Sequence, residues 1–205
     1  TPQEIYDLTF NGQFQKFYHE QSYGKIKFTG DVKGWYTLPR NSGGCAGAED
    51  SEVAHIILDN NIDLSKYASL VIVHGTQCPD ASGYSTVGKR NFSVGNKNFN
   101  LSTAWVQISD LELYNQWKGF DNVGTGHPFS WTIWDHILSH EMGHGLGVLH
   151  ANGWDCGENV FRGGCRHEEY GNLFDTMGQG AYSTHFNSFY KELLGWIPPN
   201  ETIQI

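Results

Sequence analysis

Residues 140–150 read His140-Glu141-Met142-Gly143-His144-Gly145-Leu146-Gly147-Val148-Leu149-His150. His140 and His144 are four apart, so on a helix both imidazoles leave one face and can reach a single ion. Glu141 follows the first of them, where its carboxylate can lie beside a water at the metal rather than on the metal, as a general base does. His150 lies six residues beyond His144. Straight helical spacing would carry it to the opposite face, so the chain must turn first. Gly147 is placed for that turn, because glycine takes up positive φ at little cost and commonly ends helices. Three neutral imidazoles leave the fourth tetrahedral position of a zinc ion open for water, and an open position marks a catalytic site.

The string resembles the extended zinc signature of the metzincin metallopeptidases, His-Glu-x-x-His-x-x-Gly-x-x-His, at every fixed position. That resemblance implies a methionine-containing turn beneath the metal. Asp175-Thr176-Met177-Gly178 supplies it, and the other of the two methionines is Met142, inside the motif. Leu149-His150-Ala151-Asn152, Glu169-Tyr170-Gly171-Asn172 and His185-Phe186-Asn187 look most like the gametolysin-type peptidases, as do Tyr23-Gly24-Lys25 and residues 30–36. The resemblance implies an α+β fold: a twisted mixed sheet with backing helices and an active-site helix to about residue 147. A smaller C-terminal subdomain with the Met-turn and a last helix follows, over about 148–205.

Within this frame the sequence predicts a helix over about 12–22, followed by extended segments at 25–30 and 31–38. A second helix spans 48–60. Residues 69–74, Ser-Leu-Val-Ile-Val-His, read as a central strand buried on both faces. His74 at its end suits a strand-terminal hydrogen bond better than a second metal. Residues 76–103 read as surface loop with a short strand at 91–94, and 104–109 alternate as the strand before the active-site helix. In metzincins that strand forms the upper rim of the cleft and pairs with extended substrate. Ser130 is the expected cap of the helix, and Ile133, Trp134, Ile137, Leu138 and Met142 its buried stripe. Residues 152–170 read as loop. Ser183 or Thr184 is expected to start the last helix, with Phe186, Phe189, Tyr190, Leu193 and Leu194 buried and Gly195 ending it.

The remaining features bound the function. A chain of 205 residues with 39% hydrophobic and 14% aromatic residues suits one domain with a sizeable core. A net charge of -9 argues against nucleic acid. No apolar run approaches the roughly 18 residues of a membrane span. The N-terminus has no signal-peptide pattern, so the chain reads as already processed, with any propeptide absent. Residues 201–205 read as a strand that starts a further β domain. Four cysteines permit three pairings. Cys156 and Cys165 close the shortest loop, leaving Cys45 with Cys78, and two disulfides place the chain outside the cell. A crosslink over about ten residues contributes roughly 2.5–3 kcal/mol in the entropy model. Glu158, Glu168, Glu169 and Asp175 could supply oxygens to calcium, but no fixed-spacing calcium loop is present.

These readings converge on a monomeric, secreted zinc endopeptidase acting on extended protein or glycoprotein substrates. His140, His144 and His150 are the metal ligands, Glu141 the base and Met177 the supporting residue. Tyr182 and His185 are the polar candidates for the pocket wall, and Tyr182 is also the candidate oxyanion stabiliser. Gln179 stands where serralysins and astacins carry an extra tyrosine ligand two residues after the methionine. The competing readings are a non-catalytic zinc module, which has no use for Glu141, and a zinc amidase acting on a non-peptide amide.

Overall fold

The computed structural model describes residues 1–38, 50–75, 82–108, 133–158, 164–179 and 184–201. These form an α+β fold around a mixed sheet. Ser130, Tyr182, the Cys45 and Cys78 pair and the tail 202–205 lie outside the described residues.

The N-terminus opens with α1 (Pro2–Tyr6), which runs through a π-helical turn (Asp7–Asn11) before α2 (Gln13–Gln21). Thr1 caps α1 by accepting from the Glu4 amide at 3.2 Å, while the Glu4 carboxylate reaches back to the terminal amine. In α2 the buried positions are Phe14, Phe17, Tyr18 and Gln21, the spacing of one helical face. That face meets Phe28, Phe186 and Trp196 in an aromatic cluster.

The sheet is organised around β4 (Lys97–Gln107). β1 (Ser69–His74) runs parallel to it, and β2 (Gly83–Ser85) and β3 (Arg90–Val94) run antiparallel. Residues 101–106 of β4 are all buried. Trp105 and Leu101 pack with Val53 and Ile57 of α3 (Asp50–Asp59), whereas Val106 joins the core built on α2 and the histidine helix.

Several sequence expectations are corrected here. β4, not β1, is the interior strand. β1 is partly exposed along its length and pairs only with β4 among the described residues. Its continuous apolar run has a different cause: Val71 and Val73 face one core, Leu70 and Ile72 the other. The short strand expected at 91–94 is β3 (Arg90–Val94), but the stretch around it is not loop beyond residue 82, since it also carries β2 and the first half of β4. Among the described residues β2 pairs only with β4 and lies beside the histidine helix. Residues 25–38 form no ladder among the described residues. Two of their amides donate to side chains, Ile26 N to Ser22 Oγ and Phe28 N to Gln15 Oε1.

The histidine helix, α4 (Ile133–Gly145), lies across this sheet. The Tyr18 hydroxyl donates to the Ser139 carbonyl at 2.7 Å, tying α2 to it. A Cβ at Gly83 would overlap the Glu141 carboxyl and the Ile137 side chain, so β2 runs directly against the helix. Beyond α4 the expected loop over 152–170 contains a two-stranded ribbon, β5 (Gly153–Asp155) with β6 (Arg166–Glu168), closed by the Cys156–Cys165 disulfide. Three-residue strands are too short to show a period of two. The last helix, α5, spans Ser188–Leu193 and is capped by Asn187, whose Oδ1 accepts from the Tyr190 amide at 2.9 Å. It starts later than Thr184, because Asn187 has the side chain that meets the free amide. Phe186 and Tyr190 are buried, but Phe189 and Leu193 are 66% and 61% exposed, against the expected stripe. Gly195 ends the helix with a φ of 69°.

Candidate metal centre

Two segments deliver three imidazoles. His140 and His144 come from one face of α4, and Gly147, with a φ of 102°, turns the chain so that His150 returns beside them. One ring nitrogen from each lies within 4.8 Å of the other two. Among the described residues this is the group of side chains that comes together as a metal site, and His74 is not in it. The His74 ring instead meets the Trp105 ring edge-on at 5.9 Å.

The other nitrogen of each ring is engaged. His140 Nδ1 faces the Thr176 carbonyl at 2.8 Å, His144 Nδ1 the Val148 carbonyl at 2.9 Å, and His150 Nδ1 the Glu169 carboxylate at 2.7 Å. Each partner is an acceptor, so each Nδ1 carries a proton and each Nε2 is the ring atom left to face a cation. A tetrahedral zinc at about 2.05 Å requires ligand nitrogens about 3.3 Å apart, a movement of under about 1 Å per ring. Burial pushes His140 down to about 3 and lowers His144 and His136 as well, so His140 and His144 are neutral, as ligands must be. The residues present fit a zinc ion.

Glu141 is 5% exposed on α4, and burial raises its carboxyl to about 8. A dication held by the neighbouring imidazoles would favour the carboxylate. Two oppositely biased groups then sit side by side, neutral imidazoles and a carboxyl able to take and return a proton near neutrality.

The turn at Asp175-Thr176-Met177-Gly178 lies under this helix. The Asp175 carboxylate is fully buried and accepts from the Met177 amide with one oxygen and from the Asn187 amide with the other, both at 2.7 Å. That use leaves little reason to assign it to calcium. The other calcium candidates are engaged or apart: Glu169 holds His150, Glu168 pairs with Arg166, and Glu158 is exposed. Met177 O accepts from the Ala151 amide at 2.7 Å, which joins the turn to the residue after the third histidine. The Met177 side chain is completely buried beneath Gly143. A Cβ at Gly143 would sit 2.5 Å from Met177 Sδ and 3.1 Å from the Phe186 ring.

Gly143→Ala therefore opposes two effects. Alanine gains about 1 kcal/mol of helix propensity, while overpacking a filled core costs typically 1–3 kcal/mol. The second should win, because the added methyl would meet both the fully buried Met177 sulfur and the Phe186 ring. The expected result is a melting point lower by a few degrees and weaker metal retention, read by calorimetry and metal analysis. An unchanged or raised melting point would mean the site has room. The signal was present in sequence, since a glycine inside a helix invites the question of what approaches it closely.

Glu169 and Tyr170 are the residues whose roles the sequence did not disclose. Glu169 grips the His150 edge, and the Tyr170 ring packs on its face, centroids 3.9 Å apart. Loss of a residue that orients a metal ligand typically costs about 10–100-fold in metal affinity. The Glu169 side chain is 64% exposed, so water can partly replace it. Glu169→Ala should weaken zinc by about tenfold, the low end of that range, in a competition titration with a chromogenic chelator. An unchanged affinity would show that this hydrogen bond does not orient His150. His185 bonds Glu20 of α2 through Nε2 and Lys191 of α5 through Nδ1.

No protein-family model matches the chain, and no curated protein or solved structure matches it.

Proposed function

We propose that this chain is a zinc-dependent endopeptidase of the metzincin type, most like the gametolysins, that hydrolyses peptide bonds of extended substrates outside the cell. The observation that carries the reading is the pairing of three outward-held imidazoles, each with its Nδ1 edge satisfied, with a buried carboxyl one residue after the first ligand. A purely structural site would need the imidazoles but not Glu141. The Cys156–Cys165 disulfide supports an oxidising, extracellular setting. Among the described residues no helix is long and apolar enough to cross a membrane.

His140, His144 and His150 would hold the zinc. When bound, the ion supplies Lewis acidity that acidifies water and polarises a carbonyl. Glu141 accepts the proton released as water adds to the scissile carbonyl carbon, then delivers it to the departing amine as the C–N bond breaks. Its burial keeps competing water from the carboxyl and favours this exchange near neutral pH. β2 offers an edge next to Glu141, and an extended substrate segment laid along it would bring its carbonyl to the base. Thr176, Val148 and Glu169 keep the imidazoles aimed throughout.

The test is a purified chain with about one equivalent of zinc, incubated with a mixed peptide library and sequenced for new termini. Cleavage that chelation abolishes and zinc restores is expected. Zinc retention with no cleavage would favour a non-catalytic module. Hydrolysis confined to non-peptide amides would favour the amidase.

A further inference from the structure

We propose that the Tyr170 hydroxyl is the hydrogen-bond donor that stabilises the oxyanion formed when water adds to the substrate carbonyl. The inference rests on the peptidase reading above and names a residue for a task that reading leaves unassigned. Addition of water moves the carbonyl π pair onto oxygen, and a donor aimed at that oxygen lowers the barrier. Tyr170 would donate without giving up its proton; the transferred proton travels by Glu141 to the amine.

The placement carries the proposal. Among the described residues whose rings lie against the three imidazoles, His136 and Tyr170, only Tyr170 bears a hydroxyl. Its ring is 3.9 Å from that of His150 and stacks on His140 at 6.0 Å with an interplanar angle of 26°. It therefore spans two of the three ligands. Tyr170 is 40% exposed, open to a bound substrate.

Its backbone is fixed in advance. The Tyr170 carbonyl accepts from the Gln179 amide at 2.9 Å, two residues beyond Met177. On its other side Gly171 crosses Gly153 so closely that a Cβ would come within 2.6 Å of the Gly153 Cα. Glu169, the preceding residue, holds His150. A side chain anchored on both flanks to the metal-site framework is preorganised, as a donor to a transient charge must be.

Tyr170→Phe keeps the ring and removes the donor. In the zinc-loaded protein it should retain zinc, with KM within about threefold and kcat lower by about 10²–10³-fold, the cost of deleting one oxyanion donor. A binding readout separates this role from packing. For the library's best-cleaved sequence, a phosphinic pseudopeptide carries the tetrahedral oxygens, whereas the reduced-amide analogue carries none. Tyr170→Phe should weaken the phosphinic compound by about 10²-fold or more and leave the reduced amide unchanged. Equal kcat in variant and parent, equal loss for both compounds, an unchanged phosphinic affinity, or loss of zinc would each overturn the proposal. A parent that holds zinc but cleaves no peptide would instead refute the peptidase reading, and this inference with it.

Discussion

Glu141→Gln is expected to fold, to hold about one equivalent of zinc, and to lose at least about 10²–10⁴-fold in peptide hydrolysis, the usual contribution of a positioned general base. Glutamine has nearly the same volume, so the packing against Gly83 and Ile137 survives. What it lacks is an oxygen that can take a proton and return it. Turnover within a few-fold of the parent would remove Glu141 from the mechanism, whatever the metal content.

The same substitution has a second readout in the metal-free protein. Burial raises the Glu141 carboxyl from 4.5 to about 8 in the folded chain, so between those values the folded state binds a proton that the unfolded state has released. Stability from this group is present below pH 4.5 and lost as pH rises through 8. His140, lowered from 6.5 to about 3, acts with the opposite sign, costing stability as pH falls below 6.5. Between pH 6.5 and 8 only the Glu141 effect of the two remains. The chelated parent should melt at lower temperature at pH 8 than at 6.5, and Glu141→Gln should flatten that difference. A slope that persists unchanged in the glutamine variant would mean that another group titrates there.

The three histidines and the glutamate were legible because they lie in eleven consecutive residues whose spacing has one geometric solution. The Met-turn followed from a resemblance and from there being two methionines to choose between. The grip on His150 was not legible. Glu169 lies nineteen residues further on, beyond a disulfide-closed ribbon whose three-residue strands carry no periodic signal. The sheet was misread for a related reason. An apolar run marks a strand with cores on both faces, and β1 satisfies that description while occupying the end of the strand order. The interior strand β4 carries Ser102, whose buried hydroxyl meets Ser69 Oγ of β1 at 2.6 Å. Once such partners are folded into place, polar residues cost little in the interior, and no linear pattern announces the partners.

His150→Ala is expected to abolish stable zinc retention while leaving the fold intact, and the structure separates the two outcomes. The contacts that tie this residue to its surroundings are largely main-chain. The Tyr190 hydroxyl donates to the His150 carbonyl at 2.9 Å, and the next amide, Ala151, donates to Met177 O at 2.7 Å. Alanine keeps both. What disappears is one of three neutral ligands, with the Glu169 bond and the Tyr170 ring contact that aimed it. Residues that merely orient a ligand are worth about 10–100-fold in affinity, so removal of the ligand itself should cost more than the upper end of that range. After dialysis against a chelating resin, the parent should keep about one equivalent of zinc and the alanine variant almost none, with matching circular dichroism. Glu169→Ala should fall between them. If the alanine variant binds zinc as tightly as the parent, His150 is not a ligand. The site would then reduce to the His140 and His144 pair on α4, which lacks the third imidazole of an open tetrahedral site.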